Sequence, residues 1–276
     1  MASLHGDLSH LLPLNFKQTI TAWLEEDCPS FDYGGFVVGE AEGEAKLLGK
    51  SKGVVAGVPF FNEVFSQLGC TVEWKVKEGE PIEPITVCAI VRGPMRKILL
   101  GERVALNILA RCSGIATKTS TLVNILRSHS WNGILAGTRK TTPGFRLVEK
   151  YGILDNHVWA CYNKGQAQSA TTASIAQAIP TACRSIEEAH AAISAGANII
   201  MLDNFSASEV AGAAKLLKDE WTAKGKPRGS FLVEVSGGLN EGNAASFAAE
   251  DVDILSTSSI HQGVGIVDFS LKVSLM

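Results

Sequence analysis

Arg139 and Lys140 stand side by side just after the apolar run Ile134-Leu135-Ala136 and its closing Gly137. That run reads as a buried strand, so the two cations fall at its carboxyl end, where α/β folds present groups to ligands. A ligand held there is expected to be anionic, because a guanidinium pairs bidentately with carboxylates and the adjacent ammonium adds charge. Asp203 closes a second apolar run at 197–202 and offers a carboxylate at the same level. Ser236-Gly237-Gly238 follows a third run, at 231–235, and precedes a short helical pattern. Glycines let backbone amides approach phosphate oxygens, and a helix amino end favours their negative charge. Thr257-Ser258-Ser259 holds the equivalent place after the run at 253–256. Phosphate sites of barrels often use the loops after the last two strands.

Each group also has a plainer reading. Arg139-Lys140 is a possible surface pair in an ordinary loop, Asp203-Asn204 a strand-ending turn, and a Gly-Gly turn alone is a weak signal. Glu234 is either a supporting carboxylate or a paired edge charge.

The elements that must position these groups alternate. Strand patterns at 133–137, 197–202, 231–235 and 253–256 are separated by helical patterns at 143–151, 186–194, 208–221 and 243–249. Thr142 suits a helix cap and Pro143 the first helical position, while Phe145, Val148 and Tyr151 share one face. Strand, helix, strand in regular order means parallel βα units. Ahead of them, residues 100–128 carry helical patterning with an expected interruption at Ser113-Gly114. The first 95 residues read as an α+β module. It has an amphipathic helix at 14–26, a break at Pro29 and Gly34-Gly35, a helix from Pro59, and strands at 46–48, 54–56, 71–76 and 85–91.

Composition excludes several classes. The net charge of −3 argues against a nucleic-acid partner. No apolar run approaches a membrane span, and Met1–Asp7 has no signal-peptide character. Six cysteines without a Cys-x-x-Cys pair, and six histidines without ligand spacing, read as a cytoplasmic protein with reduced thiols and no zinc site.

The string from Gly137 to Gly152 resembles the quinolinate phosphoribosyltransferase family. So do Gly101-Glu102-Arg103-Val104-Ala105-Leu106-Asn107 and Ala110-Arg111-Cys112-Ser113-Gly114-Ile115-Ala116-Thr117. The resemblance runs from about Leu11 to Lys272. It implies an α/β fold, with an incomplete C-terminal βα barrel at 96–276 and an N-terminal α+β module at 1–95, onto which the final residues can pack back. It also implies joining the quinolinate nitrogen to C1 of 5-phosphoribosyl 1-pyrophosphate, with loss of pyrophosphate and carbon dioxide. By that resemblance Arg139, Thr138 and His157 serve substrate binding, and Arg103 reaches the site of a neighbouring subunit in a homodimer or higher homo-oligomer. Lys140 clamps an anion, Asp203 meets Mg²⁺ or the ribose hydroxyls, and Ser236, Gly237, Gly238 and Ser258 hold the monophosphate. Without the resemblance, Arg103 reads as a solvated charge on a long helix and Lys140 as a surface lysine.

The likeness fails over 153–182. Asp155-Asn156-His157 matches a Lys-Asp-Asn-His element whose lysine is replaced by Leu154. A His-Arg pair has no counterpart, and 178–182 stands where a glutamate-bearing strand is expected. No charged residue occurs from Gly165 to Cys183, and the likeness resumes at Arg184. The clean recovery at Arg184 favours a disrupted copy of a normal enzyme over a diverged chain, whose changes would be scattered, and very low activity is expected of the chain as written. Two other classes stay open: a catalytically dead subunit, and an aldolase-like barrel in which Lys140 forms a Schiff base.

Overall fold

In the computed structural model, which describes residues 8–153 and 180–275, the alternation of Ala45 and Leu47 with Glu44 and Lys46 becomes strand β1 (Glu42–Gly49). Its apolar side chains point to one face, as a two-residue period requires. β1 lies inside an antiparallel sheet ordered β11-β1-β5-β3, with β3 at Thr71–Trp74, β5 at Thr86–Pro94 and β11 at Phe269–Leu275. A two-stranded ladder pairs β2 (Gly53–Val54) with β4 (Pro81–Ile82). Helices α1 (Phe16–Asp27) and α3 (Val58–Gln67) pack together, and α3 buries Phe60, Phe61, Val64 and Phe65. The Glu78 carboxylate accepts the Gly57 and Val58 amides at 2.6 and 2.8 Å, satisfying donors the amino end of α3 would otherwise leave unpaired.

Two expected breaks are helical. Helix α2 (Tyr33–Val38) runs through Gly34-Gly35, capped by Asp32, which accepts the Gly35 amide. A Cβ on Gly35 would sit 2.0 Å from Asp32 Oδ2 and 2.3 Å from Arg96 Cδ, so close packing against both explains that glycine. Helix α4 (Met95–Ser128) is continuous through Ser113-Gly114. The Ser113 hydroxyl holds the backbone of Ala56, accepting from N and donating to O. A Cβ on Gly114 would lie 2.0 Å from the Gly265 oxygen. The pair serves helix packing and not a break. The other strand departures are β1 and β5, longer than expected, β2 and β3, shorter, and β4, β11 and a strand at Pro180–Cys183, which lie outside the expected strands.

Of the described residues, 8–117, 142–153 and 264–275 form one compact unit, and 118–141 and 180–263 form another. In the second unit, β6 (Ile134–Gly137), β7 (Pro180–Cys183), β8 (Ile199–Asp203), β9 (Leu232–Ser236) and β10 (Ile254–Thr257) make a five-stranded parallel sheet ordered β6-β10-β9-β8-β7. Leu135, Leu255, Val235 and Leu202 are buried on one face. Lys218, buried on the helix Ala207–Ala223, donates to Asp253 at 2.9 Å and to the Phe231 carbonyl at 2.6 Å near the strands' amino ends. The fold is thus mixed α/β, with an N-terminal α+β part and a parallel sheet in the second unit.

Candidate active site

Register decides which side chains of the parallel sheet meet. Asp203 is paired with Ser236, Ser236 with Ser256, and Ser256 with Ala136. Partners in parallel strands share a face, so these residues form one row near the carboxyl ends. One layer deeper lie Met201, Glu234, Ile254 and Ile134, again in register. Leu202, Val235 and Leu255 point to the opposite, buried face. The face carrying Asp203, Glu234, Ser236 and Ser256 is therefore the polar one.

The loops above this row are shaped by backbone. Gly237 and Gly238 have φ of +123° and +61°, a region that favours glycine. Asn204, just after Asp203, takes φ of +65°, which Asn tolerates better than most residues. The side-chain Nδ2 groups of Asn240 and Asn243 both donate to the Gly238 carbonyl, at 3.2 and 3.1 Å. Thr257 Oγ1 donates to the Leu239 carbonyl and accepts the Ser259 amide, joining the loops after β9 and β10. Ser258, half-buried in the second of these, accepts the His261 and Gln262 amides on its carbonyl.

Past β6, the Thr138 amide donates to Nε2 of His261 at 3.3 Å, and the Lys140 amide donates to the Thr138 hydroxyl at 3.2 Å. His261 is fully buried. Arg139 and Lys140 are exposed, and their side chains have no partner among the described residues. The helix that follows starts at 146 and not at Pro143. Thr142 does not cap it as expected: its amide and hydroxyl both donate to the buried Glu149 carboxylate, at 3.0 and 2.7 Å.

Two charged groups complete the rim and floor. Arg184, immediately after β7, brings Nε to 3.9 Å from Asp203 Oδ2. Burial pushes the Glu234 carboxyl above its ordinary range, with the Ser256 hydroxyl opposing that shift. The structure thus gathers Thr138, Arg139, Lys140, Asp203, Ser236, Gly237, Gly238 and Ser258 at the carboxyl ends of one sheet. Arg103 lies in the other unit, where its guanidinium forks onto Asp27 at 3.0–3.2 Å. His157 lies outside the described residues. His261 and Arg184 escaped the sequence reading. His261 belongs to no spaced motif, whereas Arg184 carried a usable signal, being a cation directly after a strand.

Parallel strands with cations, hydroxyls and a glycine loop at their carboxyl ends define a mixed α/β protein whose rim is placed as ligand sites of such folds are. The family model for the quinolinate phosphoribosyl transferase C-terminal domain matches residues 115–154 and 152–272, and that for the N-terminal domain matches 30–113. The chain belongs to the quinolinate phosphoribosyl transferase family. The nicotinate-nucleotide pyrophosphorylase [carboxylating] of Homo sapiens is 41% identical over 283 residues, covering 95% of this chain and 93% of its own length. The protein of that name from Dictyostelium discoideum is 39% identical, with 97% and 99% covered. The nicotinate-nucleotide pyrophosphorylase structure from Francisella tularensis superposes with a TM-score of 0.77 at 25% identity, covering 95% of this chain and 98% of that one. Among the described residues no helix is long and apolar enough to cross a membrane.

Proposed function

We propose that this chain transfers the phosphoribosyl group of 5-phosphoribosyl 1-pyrophosphate to quinolinate, giving nicotinate mononucleotide, carbon dioxide and pyrophosphate. The observation that carries the proposal is the in-register row of Asp203, Ser236 and Ser256 beneath the Gly237-Gly238 loop, with Arg139 and Lys140 exposed at the end of β6. Family membership supplies the substrates. The ring nitrogen attacks C1 as the bond to pyrophosphate breaks. The C2–carboxylate bond then breaks, its electron pair stabilised by the quaternised nitrogen, and a solvent proton takes the vacated position. Arg139 and Lys140 orient the quinolinate carboxylates, and the backbone of 236–238 with Ser258 receives the monophosphate.

Mg²⁺ fits Asp203. The described residues hold no group of three or more metal-ligating side chains, but this ion takes one or two carboxylates and completes its shell with phosphate oxygens and water. Bound there with Asp203, it would draw negative charge from the departing pyrophosphate. We further propose a homodimer or larger homo-oligomer in the cytoplasm, with Arg103 serving a neighbouring site and Asp27 aligning its guanidinium. β7 offers Thr181, Ala182 and Cys183 and no carboxylate. Each lost transition-state contact costs about 10²–10³ in rate, so the turnover expected is low.

The test is a turnover assay on the purified chain with quinolinate, phosphoribosyl pyrophosphate and Mg²⁺, reading nicotinate mononucleotide. Slow product, lost in Arg139→Ala and Asp203→Asn, supports the proposal. No product from folded, substrate-binding protein assigns the chain to a subunit role instead.

A further inference from the structure

We propose that Arg184 is an anion-binding residue of this site and that its ligand is the diphosphate of phosphoribosyl pyrophosphate. The assignment rests on the reading above and goes beyond it, since neither the family resemblance nor the row of strand-end residues gives position 184 a role.

The register Cys183 to Leu202 sets Arg184 alongside Asp203, at the β7 end of the row that continues through Ser236 and Ser256. Arg139 and Lys140 stand past the strand at the other edge of the same sheet. Cations therefore occupy both edges of the rim, and the glycine and serine loops lie between. The Arg184 side chain is 82% exposed, and its one charged partner among the described residues is Asp203 at 3.9 Å, too far for a hydrogen bond. A guanidinium has five donors, and among the described residues none of them meets a hydrogen-bond acceptor. That is unlike Arg228 in the same unit, whose donors are spent on Asp219 and Asp251.

The two residues before it sharpen the argument. Ala182 and Arg184 fall on the same face of the chain, with Ala182 in register with Met201. β7 brings no negative charge to that face, so an anion beside Asp203 meets one carboxylate and one guanidinium. Planar forks of this kind suit phosphate oxygens bidentately. Diphosphate is favoured over quinolinate because Asp203, beside Arg184, is the residue suited to the metal that accompanies a diphosphate.

The competing role is that Arg184 merely neutralises Asp203. A double-mutant cycle separates the two. Binding of inorganic pyrophosphate is measured by titration calorimetry in metal-free buffer, on the full-length chain. The wild type, Arg184→Gln, Asp203→Asn and the double variant are compared. Arg184→Gln is expected to weaken binding about tenfold or more, the scale of a charged hydrogen bond, and by the same factor in the Asp203→Asn background. A loss that vanishes in that background means Arg184 acts through Asp203 and overturns the proposal, as does no loss or no binding by the wild type. Quinolinate titrations on the same proteins should be unmoved by Arg184→Gln, and a loss confined to quinolinate overturns the choice of ligand. Because binding is read without turnover, the outcome is independent of whether the chain makes product.

Discussion

The Thr138 amide donates to Nε2 of His261, and the Thr138 hydroxyl lies 3.4 Å from the same nitrogen. The imidazole thus joins the loop after β10 to the loop that carries Arg139 and Lys140. Accepting that amide requires Nε2 to be unprotonated, so in the neutral ring the proton sits on Nδ1.

Replacing His261 should therefore act on the cationic loop as well as on stability. His261→Ala leaves the Thr138 amide without its acceptor, at a cost of about 1–3 kcal/mol. Urea unfolding reads that loss, and quinolinate titration reads the loosened loop. His261→Gln keeps an acceptor and should recover part of both. Equal behaviour of the two variants would show that volume matters there and the hydrogen bond does not.

Glu234 gives the site a pH dependence with a definite sign. Burial raises its carboxyl above the ordinary value of 4.5, so the folded chain holds that proton more tightly than the unfolded chain. The stability this contributes is complete below 4.5 and is lost as pH rises through the folded value. Glu234→Gln cannot ionise, so its urea midpoint should gain on the wild type between acidic and neutral pH. Parallel profiles for the two proteins would remove the effect.

Two helical glycines should respond in opposite directions. Gly212→Ala, in the helix Ala207–Ala223, meets none of the described residues within 4 Å and should stabilise by up to about 1 kcal/mol from helix propensity. Gly114→Ala drives a Cβ to 2.0 Å from the Gly265 oxygen and should destabilise by about 1–3 kcal/mol or more despite the same propensity gain. Thermal melts of the pair decide this, and a stabilised Gly114 variant would contradict the packing described for α4.

Gly238 tests conformation without crowding. No atom of the described residues lies within 4 Å of an added Cβ, yet φ is +61°. Gly238→Val should lose about 1–2 kcal/mol and weaken inorganic phosphate binding, and Gly238→Asn should lose less, since Asn tolerates this region. Equal losses would point away from the backbone angle.

Much of the second unit was legible because buried parallel strands are written as apolar runs with polar residues at their ends. Asp203, Ser236 and Ser256 each stand at the end of such a run, and register then brings them level. Glycines misled where their purpose lies in distant chain. Gly114 and Gly35 read locally as breakers, whereas each makes room for a neighbour far away in sequence. Thr142 failed for a related reason: its seven-residue partnership with Glu149 outweighs a helix cap that spacing alone favours. His261 was invisible because a lone histidine announces nothing until the fold sets it against Thr138.

β11 carries a consequence for biosynthesis. Its pairing sets Ala45 opposite Val273 and Leu47 opposite Leu271, so β1 is flanked by residues translated long after it. Until they leave the ribosome, β1 keeps a row of unmatched amides and carbonyls along that side, the kind of surface that recruits other strands. Closing so distant a pair is entropically slow. Nascent chains halted before Phe269 should therefore be the aggregation-prone species, and the chaperone demand of this protein should fall when β11 is released.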